Sequence, residues 1–170
     1  MRRLTAAPGL WGGGVLFHKR GMPVTTRLLD AADIAVLANA ADGVFDHAII
    51  EGSAKAFLED ANHFLVVATD EERGDLVVGF ASATRLLHPD RTTFELFVNE
   101  VGVAPAYQRK GIARAIMKTL FVEARAQGCR LGWLAVDADN DGALAFYKAI
   151  GGKPPERQLH IDFDLGEDEA

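Results

Sequence analysis

A short basic segment with one glycine, Gln108-Arg109-Lys110-Gly111-Ile112-Ala113, has the residue types needed to bind an anion. It follows an apolar stretch, Val98 to Val103, and precedes residues whose apolar positions recur with helical spacing. The first N–H groups of a helix have no intrahelical acceptor, and the helix dipole adds positive charge there. Gly111 lets a ligand approach the main chain, and Arg109 and Lys110 add charge. The segment therefore predicts a phosphate-binding site.

The elements that must position this segment follow from the hydrophobic pattern, which predicts the order β-α-α-β-β-β-α-β-α-β. Strands are expected at Val24–Leu29, His63–Thr69, Leu76–Leu87, Thr93–Val103, Leu131–Val136 and Gln158–Leu165. Helices are expected from Asp30 or Asp33 to about Ala41, from a Ser53 cap to Asp60, from about Ile112 to a Gly128 cap, and from Asp141 to Ile150. This is one domain of mixed α/β (α+β) class.

Composition excludes several classes of function. The chain of 170 residues suits a single core, with 49% apolar and 25% charged residues. Its net charge of −6 disfavours nucleic acid and favours a polycationic partner. The sequence has no run of 18 apolar residues for a membrane span. The single cysteine, Cys129, excludes an internal disulfide and fits a cytoplasmic protein. Metal-ligand spacing is also missing, so we predict no metal.

The two ends differ from the rest. Residues 1–22 contain an Arg2-Arg3 pair and apolar residues, but Pro8 and the Gly12–Gly14 run interrupt any signal-peptide core. We expect residues 1–22 to be a flexible extension, residues 23–166 to form the domain, and residues 167–170 to be a polar tail.

The basic segment is not a P-loop or a dinucleotide-binding motif, because it has a single glycine. Gln108-x-x-Gly111-x-Ala113 after a V-x-V strand instead resembles the acetyl-CoA-binding motif of the GCN5-related N-acetyltransferases (GNAT). Downstream, Asn140 and the segment Ala143 to Gly151 resemble two further parts of that family's pattern in the same order. The resemblance implies the GNAT fold: a mixed, mostly antiparallel sheet whose fourth and fifth strands splay apart, flanked by about four helices.

The resemblance also implies that acetyl-CoA binds in the splay. Main-chain groups of Val101 and Val103 would pair with the pantetheine arm. The residues from Gln108 to Ala113 would hold the pyrophosphate: Gln108, Arg109, Lys110, Gly111, Ile112 and Ala113. Asn140 would bond the pantetheine arm, or cap the last helix, or do both.

Acetyl transfer to an amine needs a base that removes a proton from the ammonium group and an acid that protonates the departing thiolate. Glu100 stands where the family commonly keeps a carboxylate base, and the alternative is a solvated strand residue or a partner of substrate charge. Glu95 and Asn99 lie on the same strand as weaker alternatives. Tyr147 matches the family's acid, although a tyrosine in an apolar helix is otherwise a core residue.

Acidic segments make the chain similar to the aminoglycoside 3-N-acetyltransferases within the superfamily. The candidate acceptor-binding residues are Asp46, Glu95, Asp137, Asp139, Asp162 and Asp164. Several carboxylates around one cleft suit a substrate with several ammonium groups, although each could also be a solvated turn or strand residue. The resemblance thus implies direct attack of an aminoglycoside amine on acetyl-CoA, by an enzyme that is commonly a homodimer.

Two other functions stay open. One is acetylation of a protein N-terminus, a lysine or a small metabolic amine by the same chemistry. The other is an acyl-CoA-binding module without catalysis, against which the presence of both Glu100 and Tyr147 argues.

Overall fold

A computed structural model of the chain describes residues 15–19, 22–164 and 166. The chain divides into two compact units, residues 1–135 and 136–170. Most of residues 1–22 and the 167–170 tail lie outside the described residues. In the part of the chain that is described, no helix has the length and apolar character to span a membrane.

The first unit contains one six-stranded sheet in the order β1-β2-β3-β4-β5-β6. Its strands are β1 (Val15–Lys19), β2 (Met22–Leu28), β3 (His63–Asp70), β4 (Leu76–Leu86), β5 (Phe94–Val103) and β6 (Cys129–Trp133). Neighbouring strands are antiparallel except β5 and β6, which are parallel. This confirms the predicted mixed, mostly antiparallel sheet of the GNAT fold.

The splay that was predicted between the fourth and fifth strands is also present. These strands are β5 and β6 here, because β1 precedes the predicted first strand. β6 pairs with β5 only from Phe94 to Phe97, whereas β4 pairs with β5 as far as Val103. In the described residues, the segment from Val98 to Val103 therefore has a strand partner on one side and none on the β6 side. Main-chain groups on that side need another hydrogen-bond partner, which is a side chain, water or a ligand.

Among the described residues, the first unit has two α-helices, α1 (Glu51–Glu59) and α2 (Ile112–Ala126), and the second unit has one, α3 (Asp141–Ala149). A 3-10 helix, Ala31–Ala38, is capped by Asp30. The long helix α2 packs its apolar stripe on the sheet, with Ile116, Met117 and Leu120 completely or almost completely buried. A hydrogen bond of 2.7 Å between the hydroxyls of Thr26 on β2 and Thr119 on α2 lies in this core.

Several local predictions need correction. β1 lies within the segment that we expected to be an extension, and it pairs with β2. Helix α1 begins at Glu51, and no side chain caps it, so Ser53 is not its cap. The predicted strand Gln158–Leu165 is wrong where the structure describes it, because residues 158–164 have no regular structure. The side chains of Leu159, Ile161 and Phe163 are exposed, and alternation alone cannot form a strand without a pairing partner.

Candidate active site

The centre of the candidate site is a β-bulge in β5. Ser82 of β4 pairs with Glu100, whereas the next residue, Ala83, pairs with Val98, so Asn99 is the extra residue. Val98 is buried, but Asn99 and Glu100 are both exposed. The bulge therefore presents two consecutive polar side chains to solvent where strict alternation would turn one of them into the core. The Asn99 side chain donates to the Thr84 hydroxyl at 3.1 Å.

Glu100 lies in an electrostatic setting that suits a base. Partial desolvation and the neighbouring Asp46 carboxylate raise the pKa of Glu100, and His47 opposes this rise. A carboxylate whose proton affinity is raised accepts a proton from an ammonium group more readily than an ordinary solvated one does. Asp46 and His47 belong to a segment that the sequence places far from Glu100, and the fold brings them together.

This segment, residues 42–47, lies on β5 because Gly102 has no side chain. A Cβ at residue 102 would be 2.5 Å from the Val44 carbonyl oxygen. Phe45 of the same segment packs against Phe80 of β4 with ring centroids 4.3 Å apart. Sequence reasoning missed this loop as a part of the site, although it named Asp46 for its charge.

Glu95 has other partners. Its carboxylate accepts hydrogen bonds from Arg91 and from the Trp133 indole, and His88 Nε2 lies 3.6 Å from it. The Trp133 ring in turn packs on Phe97, with centroids 4.4 Å apart. Arg91 and Trp133 therefore compete with any substrate for the Glu95 carboxylate, which makes Glu95 a weaker candidate than Glu100 for both the base and acceptor binding.

The predicted phosphate site begins where β5 ends. The Gln108 side-chain amide donates to the Val103 carbonyl at 3.1 Å and so ties the turn to the end of the strand. Gly111 is the N-cap of α2, with φ of +86°, and no side chain caps this helix. A Cβ at residue 111 would have no atom of the described residues within 4 Å, so within that part of the chain the space over the turn is open. The start of α2 therefore has the room and the N–H groups that an anion needs.

The other residues of the Gln108–Ala113 segment differ in their burial and in their contacts. Ile112 is buried, so only its main chain is available to a ligand, whereas Ala113 is partly exposed. Arg109 has φ of +59°, and the Lys110 ammonium group donates to the Ala106 carbonyl at 2.7 Å. Val101 and Val103 lie in the part of β5 that does not pair with β6.

The remaining predicted residues belong to the second unit. Asn140 is the N-cap of α3, and its side-chain oxygen accepts the Ala143 N–H at 3.0 Å. Tyr147 lies on α3, where its ring contacts Phe146, and burial raises the pKa of its phenol. A protonated phenol at neutral pH has the state that a proton donor needs.

The four predicted acceptor-binding aspartates in this unit are on its surface. The main-chain carbonyls of Asp137 and Asp139 accept N–H groups within the turn before α3. Asp162 lies 3.2 Å from His160, and Asp164 accepts the Gly166 N–H at 2.9 Å. These contacts are local, so within this unit the acidic residues form turns and a surface pair.

Comparisons with known proteins agree with the fold. The model of the acetyltransferase (GNAT) family matches residues 33–151. The N-alpha-acetyltransferase RimI of Mycobacterium tuberculosis is 42% identical over 79 residues, which is 46% of each chain. The match thus spans about half the length of that curated relative.

Solved structures share the fold at low identity. An aminoglycoside acetyltransferase from an uncultured soil metagenomic sample, in complex with sisomicin, has a TM-score of 0.73 at 18% identity, covering 84% of this chain and 97% of that one. The aminoglycoside N-acetyltransferase AAC(6')-Iy in complex with CoA has a TM-score of 0.67 at 16% identity, covering 86% and 99%.

Proposed function

Because the chain belongs to the acetyltransferase (GNAT) family, we propose that it is an acetyl-CoA-dependent N-acetyltransferase whose acceptor is a primary amine with further cationic groups, an aminoglycoside. The observation that carries the proposal is the pair of carboxylates, Glu100 and Asp46, beside the unpaired side of β5. One of them can take a proton and the other can hold a neighbouring ammonium group.

The structure fits acetyl-CoA at two places. The unpaired side of β5 at Val101 and Val103 offers main-chain partners to an extended arm. The turn from Gln108 to Gly111 and the first N–H groups of α2 at Ile112 and Ala113 offer an anion site, with Arg109 and Lys110 nearby. Asn140 is a further candidate contact of the arm. When bound, acetyl-CoA supplies the acetyl group as a reactive thioester.

Two side chains would move protons. Glu100 would remove the proton from the acceptor's ammonium group, since only the free amine has a lone pair for attack. Tyr147 would donate its phenolic proton to the departing thiolate sulfur. Transfer would then be direct, within one complex of both substrates and without an acyl-enzyme.

The acceptor is proposed from charge. Asp46 lies close enough to Glu100 to raise its pKa, so a substrate with two nearby ammonium groups would satisfy both carboxylates. Glu95, Asp137, Asp139, Asp162 and Asp164 are further candidate contacts of the acceptor, and the carboxylates of Glu95, Asp162 and Asp164 already have local partners. The motif resemblance favours the 3-amino group, whereas AAC(6')-Iy is named for the 6′ position.

A protein N-terminus is the second candidate acceptor. The sequence identity of 42% to an N-alpha-acetyltransferase favours it, although that identity extends over 79 residues only. An α-amine has a single charge, so this candidate gives Asp46 no ammonium partner of its own.

A thiol-release assay with acetyl-CoA tests these candidates. We expect turnover with gentamicin and sisomicin, weaker turnover with spermidine, and little with peptides that have a free α-amine. Turnover with peptides alone would replace the first candidate by the second. Binding of CoA without turnover on any amine would identify a non-catalytic module.

A further inference from the structure

Tyr107 directly precedes the Gln108–Ala113 segment. Its hydroxyl group is buried against a carboxylate that is distant in the sequence. Its phenol donates a hydrogen bond to Asp70 Oδ2 at 2.7 Å. Tyr107 is 5% exposed and Asp70 is 4% exposed. Asp70 is the last residue of β3, and Tyr107 lies in the 3-10 turn that leads from β5 to α2. The bond therefore fastens this turn to the hairpin between β3 and β4.

The burial of Asp70 is not explained by stability. Asp70 Oδ1 is buried without a hydrogen-bond partner in the described part of the chain. The Arg73 Nε lies 3.8 Å from Oδ2, on a side chain that is 68% exposed. A buried carboxylate with such incomplete pairing usually gives a protein no more stability than an apolar side chain of similar size would give. Its presence points to a role in fixing a conformation.

The conformation it fixes is that of the turn before α2. Arg109 has φ of +59°, a left-handed conformation that residues other than glycine adopt infrequently, whereas Gly111 at +86° adopts it readily. Lys110 packs its ammonium group 5.1 Å from the centre of the Tyr107 ring. The Tyr107 ring therefore packs against the turn and supports it. Burial and the Asp70 hydrogen bond raise the pKa of Tyr107, so the phenol remains a donor at physiological pH.

We propose that Asp70 is a positioning residue for acetyl-CoA: through Tyr107 it holds residues 108–111 in the conformation that receives the pyrophosphate. This inference rests on the proposed function and deepens it, because it assigns the preorganisation of the same site. Without the bond, the turn would occupy other conformations for part of the time. The apparent dissociation constant would then rise in inverse proportion to the competent fraction.

Calorimetry with CoA and steady-state kinetics on four variants test the proposal. Tyr107→Phe removes the hydrogen-bond donor. Asp70→Ser removes the carboxylate acceptor and leaves no buried charge, so we expect the Asp70→Ser variant to fold more reliably than Tyr107→Phe. Asp70→Asn keeps an oxygen that can accept the phenolic hydrogen. Thr26→Val is the matched control, because it removes a different buried hydrogen bond of 2.7 Å that does not contact the turn.

We expect Tyr107→Phe and Asp70→Ser to bind CoA about 10-fold more weakly, with a similar rise in KM for acetyl-CoA. The kcat and the KM for the amine should change by less than about 2-fold, since the turn is proposed to contact the pyrophosphate and not the reacting amine. Asp70→Asn should stay within about 3-fold of the wild type. Thr26→Val should lower the melting temperature without changing the affinity for CoA.

The outcomes separate this inference from the proposed function. If the wild type binds no CoA, the proposed function is wrong. If the wild type binds CoA and the folded Tyr107→Phe and Asp70→Ser variants bind it equally well, Asp70 has no positioning role. The same conclusion follows if Thr26→Val weakens binding as much as they do, because the effect would then be one of general stability.

Discussion

The carbonyl oxygen of Val44 lies 2.5 Å from the position that a Cβ of Gly102 would occupy. The same Cβ would be 2.6 Å from Phe80 Cε1. Gly102 therefore allows the 42–47 segment to lie directly on β5, two residues beyond Glu100. Since Asp46 and His47 belong to this segment, the missing side chain at residue 102 determines the electrostatic surroundings of the candidate base.

The variant Gly102→Ala should lower the free energy of unfolding by about 1–3 kcal/mol, because the new methyl group overlaps main-chain and ring atoms. It should also raise the KM for the amine, since the 42–47 segment must move away. Chemical denaturation and acceptor kinetics measure the two effects. Gly52→Ala is the control: its Cβ would have nothing within 4 Å, and its stability should change by less than about 1 kcal/mol. Unchanged stability in Gly102→Ala would contradict the contact.

Replacing Glu100 by Gln should reduce kcat by about 10²–10⁴-fold, the range usual for loss of a general base. The substitution keeps the shape of the side chain and lies outside the turn before α2, so the affinity for CoA should be retained. Thiol release and calorimetry with CoA measure these quantities separately. Wild-type turnover in the variant would assign the proton transfer to another group.

The pH dependence of kcat/KM for the amine should respond in opposite directions to the two neighbours of Glu100. Activity is lost at acidic pH as the base becomes protonated, so the acidic limb follows the pKa of Glu100. Desolvation and Asp46 raise this pKa and His47 lowers it. Asp46→Asn should therefore move the acidic limb to lower pH, and His47→Gln should move it to higher pH. Shifts in the same direction for both variants would show that the limb reports another group.

Adding a methyl group at Gly111 tests whether the cofactor approaches the start of α2. Gly111→Ala and Gly74→Ala place alanine at similar left-handed conformations, with φ of +86° and +70°, and neither Cβ would meet a protein atom. Each should cost about 1–2 kcal/mol of stability. Only Gly111→Ala should weaken CoA binding, because only there would the methyl group occupy the ligand's space. Equal affinities of the two variants for CoA would show that its phosphates do not bind at the start of α2.

The sequence was most informative where the structure is local. The strand, basic turn and helix around Gly111 are continuous in the chain, and the structure has β5, the turn and α2 in that order. The bulge at Asn99 also leaves a trace, since the apolar positions change phase between Val98 and Val101. An alternation that slips by one residue is a usable signal for a bulge.

Features made by distant segments could not be predicted in this way. Nothing near Glu100 in sequence shows that Asp46 and His47 approach it, and the Asp70–Tyr107 bond joins residues that look ordinary in isolation. The alternating stretch from Gln158 was misleading for a related reason, because a strand is defined by its partner as well as by its own pattern.

A crystal structure of the complex with CoA would show directly whether the opening beside β5 and the start of α2 bind the cofactor. We predict the pantetheine arm along the unpaired side of β5 beside Val101 and Val103, with the pyrophosphate at the N–H groups of Gly111, Ile112 and Ala113. A complex with CoA bound at another surface, or with the β5 opening closed by a protein strand, would contradict the account.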